Sequence, residues 1–295
     1  MGRFKMENDR LVVTIDDLGA ELVSIYDKKY SRELIWQGDP AWWKRQAPIL
    51  FPNVGKFYGG KYLYQGRHYV QDQHGFARDY VLERVEESPA SVTHRLVSNA
   101  ETRKVYPFDF ELMITHRLDG DKVDIQWQVK NTGDHPMHFT IGGHPGFNVP
   151  VLPDTEYSDY ALKFAEDQDE LHFIHIDMNT GTGLPDKVYT MTLTDHKYQL
   201  RKDLFDLDAL VFDGGQIRQA GIVMPDGSDY LTLLCDGFPN FGIWAAPGAP
   251  FVCLEPWCGR CDNFGYEGEL QDKPGINSLN VDETFKKVYS IVIGG

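Results

Sequence analysis

Apolar and polar residues alternate at every second position along much of this chain. The clearest run is Val-Asp-Ile-Gln-Trp-Gln-Val at 123–129, and a similar run begins at Phe110. A period of two places all the apolar side chains on one face of an extended strand, as in a half-buried β-strand. Asp-Gly-Asp at 119–121 separates the two runs and is typical of a turn, so we predict a β-hairpin.

The same pattern recurs from one end of the sequence to the other. It predicts further strands at 11–15, 21–26, 81–85, 160–164, 171–176, 187–193, 231–235 and 287–293. Leucines recur at helical spacing only over 200–210, which predicts a helix there. Many strands without crossover helices predict an all-β protein, a large antiparallel β-sandwich. No composition shift or linker divides the chain, so we expect a single domain over residues 1–295.

Charge and cysteine content narrow the function classes. The 29 basic and 44 acidic residues give a net charge of −15, which disfavours nucleic acid and anionic membrane surfaces as partners. The first ten residues contain no apolar stretch of signal-peptide length, and four cysteines are too few for a disulfide framework. We therefore expect a cytoplasmic protein. No sequence feature indicates an oligomeric state.

Four segments concentrate glycine, proline, histidine, arginine and aromatic residues where a plain strand would not. They begin at Pro48, Gln73, Gly142 and Leu254. In the third, a strand runs into Gly-Gly-His-Pro-Gly, which holds His144 at a strand end, in a position suited to proton transfer. A polar loop histidine bonded to backbone is the alternative. Phe147 and Asn148 nearby offer an apolar platform and an amide.

Two more candidate groups come from the second and fourth segments. His74 lies four residues before Arg78. Glu255 follows the apolar run Phe-Val-Cys-Leu and precedes Pro-Trp, so a carboxylate ends an apparently buried strand. Such a carboxylate must be paired, solvated in a cleft or functional. A salt bridge to Arg260 or Arg78 is the structural alternative.

Cys258 and Cys261 form a Cys-x-x-Cys pair. Zinc sites of this kind normally have a second pair, which is missing here, and redox versions normally open a helix. The residues after Cys261 are turn-like. We therefore expect no metal and no other cofactor.

Taken together and in this order, the segments resemble those of the aldose 1-epimerase (galactose mutarotase) family, in particular its LacX-like branch. The similarity begins with Leu-Gly-Ala-Glu-Leu-Val-Ser-Ile at 18–25. It continues through His-Gly-Phe-Ala-Arg-Asp at 74–79, Gly-Gly-His-Pro-Gly-Phe-Asn at 142–148 and Leu-Glu-Pro-Trp at 254–257. It spans nearly the whole chain and implies a cofactor-free isomerase, built on a large antiparallel β-sandwich, that interconverts the α and β anomers of a sugar.

The resemblance also implies roles for individual residues. Glu255 is the expected base and His144 the expected acid, with His74 bonding the sugar near its ring oxygen. Substrate-binding residues are expected among Arg78, Asp208, Phe147, Asn148, Trp257 and Lys56.

One stretch departs from the family pattern. Galactose mutarotases carry arginines in a Gly-Arg-x-x-x-Arg-Ile pattern after the first Asn, whereas the matching stretch of this chain is Gly-Lys-Phe-Tyr-Gly-Gly-Lys at 55–61. The usual substrate-gripping arginine is therefore either missing or replaced by Arg78 or Lys56, which leaves the identity of the sugar open. Two alternatives follow: a hexose-6-phosphate 1-epimerase, in which Lys56, Lys61, Arg45 and Arg78 hold a phosphate, or a non-catalytic sugar-binding or regulatory module of the same fold.

Overall fold

Strands make up nearly all of the regular structure, as the alternation predicts. A computed structural model describes residues 2–295. The strands of the first half are β1 (Arg3–Glu7), β2 (Leu11–Asp16), β3 (Leu22–Asp27), β4 (Arg32–Glu33), β5 (Ile49–Leu50), β6 (Lys61–Tyr64), β7 (Arg67–Val70), β8 (Glu83–Ser88), β9 (Ser91–Val97), β10 (Phe110–Asp119), β11 (Lys122–Asn131), β12 (Met137–Phe139), β13 (Ile141–Gly143) and β14 (Gly146–Asn148).

The second half continues without an α-helix in the described residues. Its strands are β15 (Ala161–Phe164), β16 (Glu170–Asp177), β17 (Thr182–Thr192), β18 (Lys197–Gln199), β19 (Leu210–Phe212), β20 (Gln219–Val223), β21 (Asp229–Leu234), β22 (Asn240–Trp244), β23 (Phe251–Cys258), β24 (Asn277–Leu279) and β25 (Thr284–Ile293). One α-helix, α1, spans Ala100–Val105, and 3₁₀ turns occur at Tyr58–Gly60, Ala77–Asp79, Tyr157–Asp159 and Leu270–Asp272.

Two large antiparallel sheets form the sandwich. One has nine strands in the order β18-β15-β20-β21-β25-β11-β10-β9-β8. The other has eight, in the order β17-β16-β19-β22-β23-β13-β5, with β14 also paired to β23. A four-stranded sheet, β1 to β4, and the two-stranded sheets β6-β7 and β12-β24 complete the architecture.

The two large sheets pack against each other around β11 and β25. Val123, Ile125, Trp127 and Val129 of β11 are fully buried, as their alternation requires. Tyr289 of β25 lies so close to Gly143 of the eight-stranded sheet that a Cβ there would be 2.8 Å from its hydroxyl oxygen. The apolar face of each strand therefore fills the space between the sheets.

Most sequence-based predictions of strands are confirmed. The predicted hairpin is β10–β11, whose register runs from Phe110 opposite Asn131 to Asp119 opposite Lys122. The predicted helix at 200–210 is wrong. That segment is a series of turns, with hydrogen bonds such as Leu204 N–H to Arg201 O, 3.2 Å, that span three residues and not four. No helix within residues 2–295 combines the length and the apolar character that crossing a lipid bilayer requires.

Replacing Trp127 with alanine should lower the free energy of unfolding by about 3–5 kcal/mol, because it leaves a large cavity between the two sheets. Urea denaturation measures this loss. Gln126→Ala is the matched control on the outward face of the same strand, with an expected change within about 0.5 kcal/mol. Equal losses for the two variants would contradict the assignment of the core face.

Candidate active site

A cleft of about 480 Å³ opens on one face of the eight-stranded sheet. Successive residues of a strand point to opposite faces. Gly143 faces Tyr289 of the nine-stranded sheet, so its neighbour His144 points the other way, and His144 lines the cleft. The cleft therefore lies on the face of the sheet that is turned away from the nine-stranded sheet.

The strand register brings His144 and Glu255 together. β13 and β14 are two parts of one path along β23, interrupted at residues 144 and 145. The pairs on the two sides of the interruption are Gly142 with Trp257 and Gly146 with Cys253. Both pairs follow the same register, which places His144 directly opposite Glu255 on the neighbouring antiparallel strand. Residues in that relation have adjacent side chains on one face of a sheet.

The two side chains touch inside the protein. His144 Nε2 lies 3.2 Å from Glu255 Oε2, and the residues are 7% and 1% exposed. The atoms are not aligned for a hydrogen bond, so Glu255 Oε2 and His144 Nδ1 are both buried without a hydrogen-bond partner among residues 2–295. Buried polar atoms are rarely left unpaired in proteins. Both residues line the cleft, so a bound molecule there is positioned to supply such partners.

Glycines on both neighbouring strands make room for the indole of Trp257. A Cβ on Gly142 would lie 2.4 Å from Trp257 Cδ1, and one on Gly242 would lie 2.3 Å from Trp257 Cη2. Gly242 pairs with Glu255 on the side opposite His144. The ring therefore lies across the sheet beside Glu255, in space that only glycine leaves free.

Three aromatic rings surround the imidazole of His144. Trp43 stacks on it, with ring centroids 4.7 Å apart and planes at 28°, while Trp244 and His74 meet it edge-on at 5.7 and 5.5 Å. The backbone N–H of His144 donates to Pro48 O at 3.1 Å. The ring thus has a fixed orientation before any ligand arrives.

His74 is held by reciprocal hydrogen bonds with Gly55. Its backbone N–H donates to Gly55 O at 2.9 Å, and its Nδ1 accepts the N–H of Gly55 at 3.0 Å. Burial lowers the pKa of His74 well below its ordinary value, with His144 and Arg78 adding to the effect. The neutral ring must carry its proton on Nε2, because Nδ1 is an acceptor. His74 is therefore a donor on the cleft side, where its Nε2 lies 3.2 Å from the side-chain amide of Gln73. The amide oxygen of Gln73 is then the acceptor that a ligand would replace.

Burial acts in opposite directions on the two members of the central pair. It raises the pKa of Glu255 well above its ordinary value. The indole N–H of Trp257 opposes this shift, although no aligned hydrogen bond joins the groups, and the charge of Asp208 adds to it. Burial, with a smaller effect of Arg78, lowers the pKa of His144 to about 3. Burial therefore favours the neutral forms of both groups and disfavours an ion pair between them.

Comparisons with known proteins agree with this architecture. The family model described as "Aldose 1-epimerase" matches residues 2–290. The chain belongs to the aldose 1-epimerase family. It is 33% identical, over 98% of both chains, to a protein of Lactococcus lactis subsp. lactis named "Protein LacX, chromosomal".

Two solved structures resemble this aldose 1-epimerase family member over nearly their full length. A galactose mutarotase related enzyme from Lactobacillus acidophilus has a TM-score of 0.93 and 31% identity, covering 100% of this chain and 98% of its own. A galactose mutarotase-like protein from Lactobacillus casei has a TM-score of 0.89 and 28% identity, covering 99% and 100%. The LacX-like branch and the galactose mutarotase-like sandwich expected from the sequence are confirmed.

The cleft of this epimerase-family chain includes most of the residues that the sequence singled out. His74, His144 and Glu255 line it together with Lys56, Arg78, Asp208 and Trp257. The predicted alternative of a salt bridge from Glu255 to Arg260 or Arg78 is wrong, because Arg260 binds Asp213 at 2.9 Å and Arg78 donates to Gln73 O.

Phe147 and Asn148 were expected in the substrate site, and this expectation is wrong. Phe147 is an odd number of positions from His144, so its side chain points to the opposite face of the sheet and is fully buried. The amide of Asn148 donates to Glu33 O and Ile35 O, each at 3.0 Å, and fixes the neighbouring chain segment.

Among the cleft residues that sequence reasoning missed are the two tryptophans that contact the His144 ring, Trp43 and Trp244. For Trp244 the sequence did contain a signal, namely Gly242 on the same strand, β22. A glycine inside a strand often marks a place where another group comes close to the backbone. Trp43 carried none, because it lies in a loop whose path depends on contacts such as Trp36 Nε1–H to Trp43 O, 2.8 Å.

The cysteines of the Cys-x-x-Cys pair are buried free thiols. Burial raises the pKa of Cys258 to about 12 and also raises that of Cys261, so both stay protonated at neutral pH. Among the described residues, the potential metal-binding atoms that do converge are those of His144, Cys253 and Glu255, within 4.8 Å of one another. They include neither member of the Cys-x-x-Cys pair.

Replacing Asp208 with asparagine should lower the pKa of Glu255, because a negative charge that favours the protonated carboxyl group is removed. ¹³C NMR of protein labelled at glutamate carboxyl carbons measures it, with Glu255→Gln to assign the signal. Asp206→Asn is the matched control: Asp206 lines the same cleft but does not contribute to the shift. An unchanged or higher pKa in Asp208→Asn would contradict this account of the electrostatics.

Proposed function

We propose that the protein is an aldose 1-epimerase that interconverts the α and β anomers of a sugar in this cleft. The observation that carries the proposal is the buried cross-strand pair of His144 and Glu255, whose Nε2 and Oε2 atoms lie 3.2 Å apart beside unpaired polar atoms. Burying two ionisable groups is costly, and perturbed groups of this kind cluster at functional sites. The proposal takes residues 1–295 as one cytoplasmic domain with a free sugar as its small-molecule partner.

Ring opening needs one base and one acid. The carboxylate of Glu255 takes the proton of the anomeric O1 hydroxyl, and protonated His144 gives its proton to the ring oxygen. The C1–O5 bond breaks while the C1–O1 double bond forms. Rotation about C1–C2 and closure on the other face reverse both transfers, so no net proton is consumed.

The proton count of the pair fits this cycle. After ring opening Glu255 is protonated and His144 is neutral, which is the state that burial favours. The reactive state, with Glu255 ionised and His144 protonated, contains the same total number of protons, so the two states differ only in which group of the pair holds one of them. The site therefore favours the proton arrangement of the open-chain intermediate, and the pair needs no exchange with water during turnover.

The remaining cleft residues would bind and orient the sugar. Nε2–H of His74 would donate near the ring oxygen, where negative charge develops. Arg78 and Asp208 would bond hydroxyl groups, and the indoles of Trp257 and Trp43 would provide apolar faces for a pyranose.

A hexose-6-phosphate 1-epimerase is the second candidate, favoured by the cations of the cleft. Lys56 and Arg78 both line it, and Lys56 forms no ion pair with any described residue. Two other cations considered for this role lie elsewhere: Arg45 pairs with Asp79 at 2.5 Å, and Lys61 lines a different cavity. Only Lys56 and Arg78 of the four cations therefore remain to bind a phosphate group, which is why this function is the second candidate.

Glu255→Gln should lower kcat by about 10²–10⁴-fold, because the amide keeps the shape but cannot accept the O1 proton. His144→Asn should have a similar effect, and His74→Asn a smaller one, since His74 donates a hydrogen bond without carrying an obligatory proton. Polarimetry or exchange NMR of anomer interconversion measures this, after subtraction of the spontaneous rate. Glu86→Gln, on the exposed strand β8 and away from both cavities, is the control.

The double variant Glu255→Gln with His144→Asn should lose much less than the product of the single losses, since both residues act in one step. Near-normal kcat in Glu255→Gln would show that the base is another group. If the unmodified protein binds sugars but epimerises no aldose, the alternative of a non-catalytic sugar-binding module is favoured instead.

Arg78→Ala and Lys56→Met should distinguish the two candidate substrates. If phosphate is the recognised group, each variant raises KM for glucose 6-phosphate far more than KM for galactose, because only the phosphate loses an ion pair. If the sugar is neutral, the two KM values change to a similar extent. Lys61→Met, a cation outside the cleft, should leave both KM values unchanged.

A further inference from the structure

A second cavity, of about 350 Å³, lies beside the cleft and has no part in the reaction proposed above. It lies between the β6–β7 hairpin and the chain from Asp262 to Lys273. Glu269 ties the two sides together by accepting the backbone N–H groups of Gln65 and Gly66 at 2.8 and 3.1 Å. The cavity is therefore a fixed feature of the fold, and its volume is within the usual range for small-molecule sites.

One shared wall separates this cavity from the cleft. Lys56 and Cys261 line the cleft, whereas their chain neighbours Phe57 and Asp262 line the cavity. The N–H of Asp262 donates to Lys56 O at 3.0 Å, which joins the two segments of the wall. The two spaces are thus adjacent but are lined by different side chains.

Lys273 gives the cavity unused hydrogen-bond donors. It is 3% exposed, and its Nζ donates to Asp262 Oδ1 at 2.7 Å. An ammonium group has three N–H donors. Nζ also lies 5.8 Å from the ring centroid of Phe57, and in the described part of the chain its other two N–H groups meet no oxygen or nitrogen acceptor. A ligand in the cavity would meet a buried cation that still needs acceptor atoms.

The rest of the lining decides what kind of ligand fits. Phe57, Tyr58, Tyr62 and Tyr266 provide aromatic walls. Aromatic rings favour a ligand with an apolar face.

The charged residues that line the cavity favour a neutral ligand over an ionic one. Lys61 and Lys273 are balanced by Asp262 and Glu267, so the lining has no formal net charge when His68 is neutral. A neutral molecule with oxygen acceptors and an apolar face meets all three conditions, and a pyranose has these properties.

We propose that this cavity is a second carbohydrate site, which binds a neutral monosaccharide independently of the reaction in the cleft.

¹⁹F NMR can observe the two sites separately. No tryptophan lines the cavity, whereas Trp43, Trp244 and Trp257 line the cleft. Protein labelled with fluorotyrosine is titrated with glucose, galactose and mannose, and Tyr266→Phe assigns the Tyr266 signal. We expect a saturable shift of that signal with at least one of these sugars. A fluorotryptophan sample reports the cleft in parallel.

Filling the cavity should abolish the shift. His68 is exposed on β7 and lines the cavity, so His68→Trp occupies the space without disturbing the core. Val70→Trp is the matched control, two residues along the same strand, 69% exposed and outside the cavity. We expect loss of the Tyr266 shift in His68→Trp and its retention in Val70→Trp, with the fluorotryptophan shifts unchanged in both.

A second variant tests the donors. Asp262→Asn with Lys273→Met removes both buried charges together and keeps an acceptor for the N–H of Tyr58. It should also lose the Tyr266 shift. Sugar-dependent shifts confined to tryptophan in the wild type, or a Tyr266 shift that survives in His68→Trp, would overturn the proposal. Neither result depends on whether the cleft epimerises sugars.

Discussion

The contact between His144 and Glu255 is the constraint on which the rest of the site depends. Each residue alone would be a costly buried polar group, and only a shared strand register places them 3.2 Å apart. The strand pairing with β23 is interrupted between β13 and β14, and β14 resumes it in the same register. This arrangement also needs Gly142 and Gly242 as neighbours, because any side chain there would overlap Trp257. These two glycines are thus required by the tryptophan that packs beside the buried pair, not only by the chain's turns.

Several features of the site could be predicted from the sequence, for a physical reason. Period-two alternation is local, so the strands and the β10–β11 hairpin followed from neighbouring residues. The histidines and Glu255 were identifiable because they stand where a strand pattern breaks or where a carboxylate ends an apolar run. Roles for them came only from family resemblance.

Other features depend on contacts between distant parts of the chain. The register that joins residues near 144 to residues near 255 has no local signature, so the face occupied by Phe147 could not be read from its position beside His144. The leucines at 200–210 have helical spacing, but the aspartates among them favour turns, and the segment follows the turns. Trp43 reaches His144 through a loop fixed by tertiary hydrogen bonds.

The residues proposed to carry out the chemistry are held by strand pairing or hydrogen bonds, whereas some of those proposed to bind the sugar lie in loops. Glu255 lies within a central strand, His144 directly faces it, and His74 is pinned to Gly55 by two hydrogen bonds. In contrast, Lys56 and Asp208 lie in loops at the margin of the cleft. Loops tolerate substitution more readily than paired strands. A fold arranged in this way can hold a buried pair fixed while the loops around it change, and Lys56, which we propose as a substrate-binding residue, lies in such a loop.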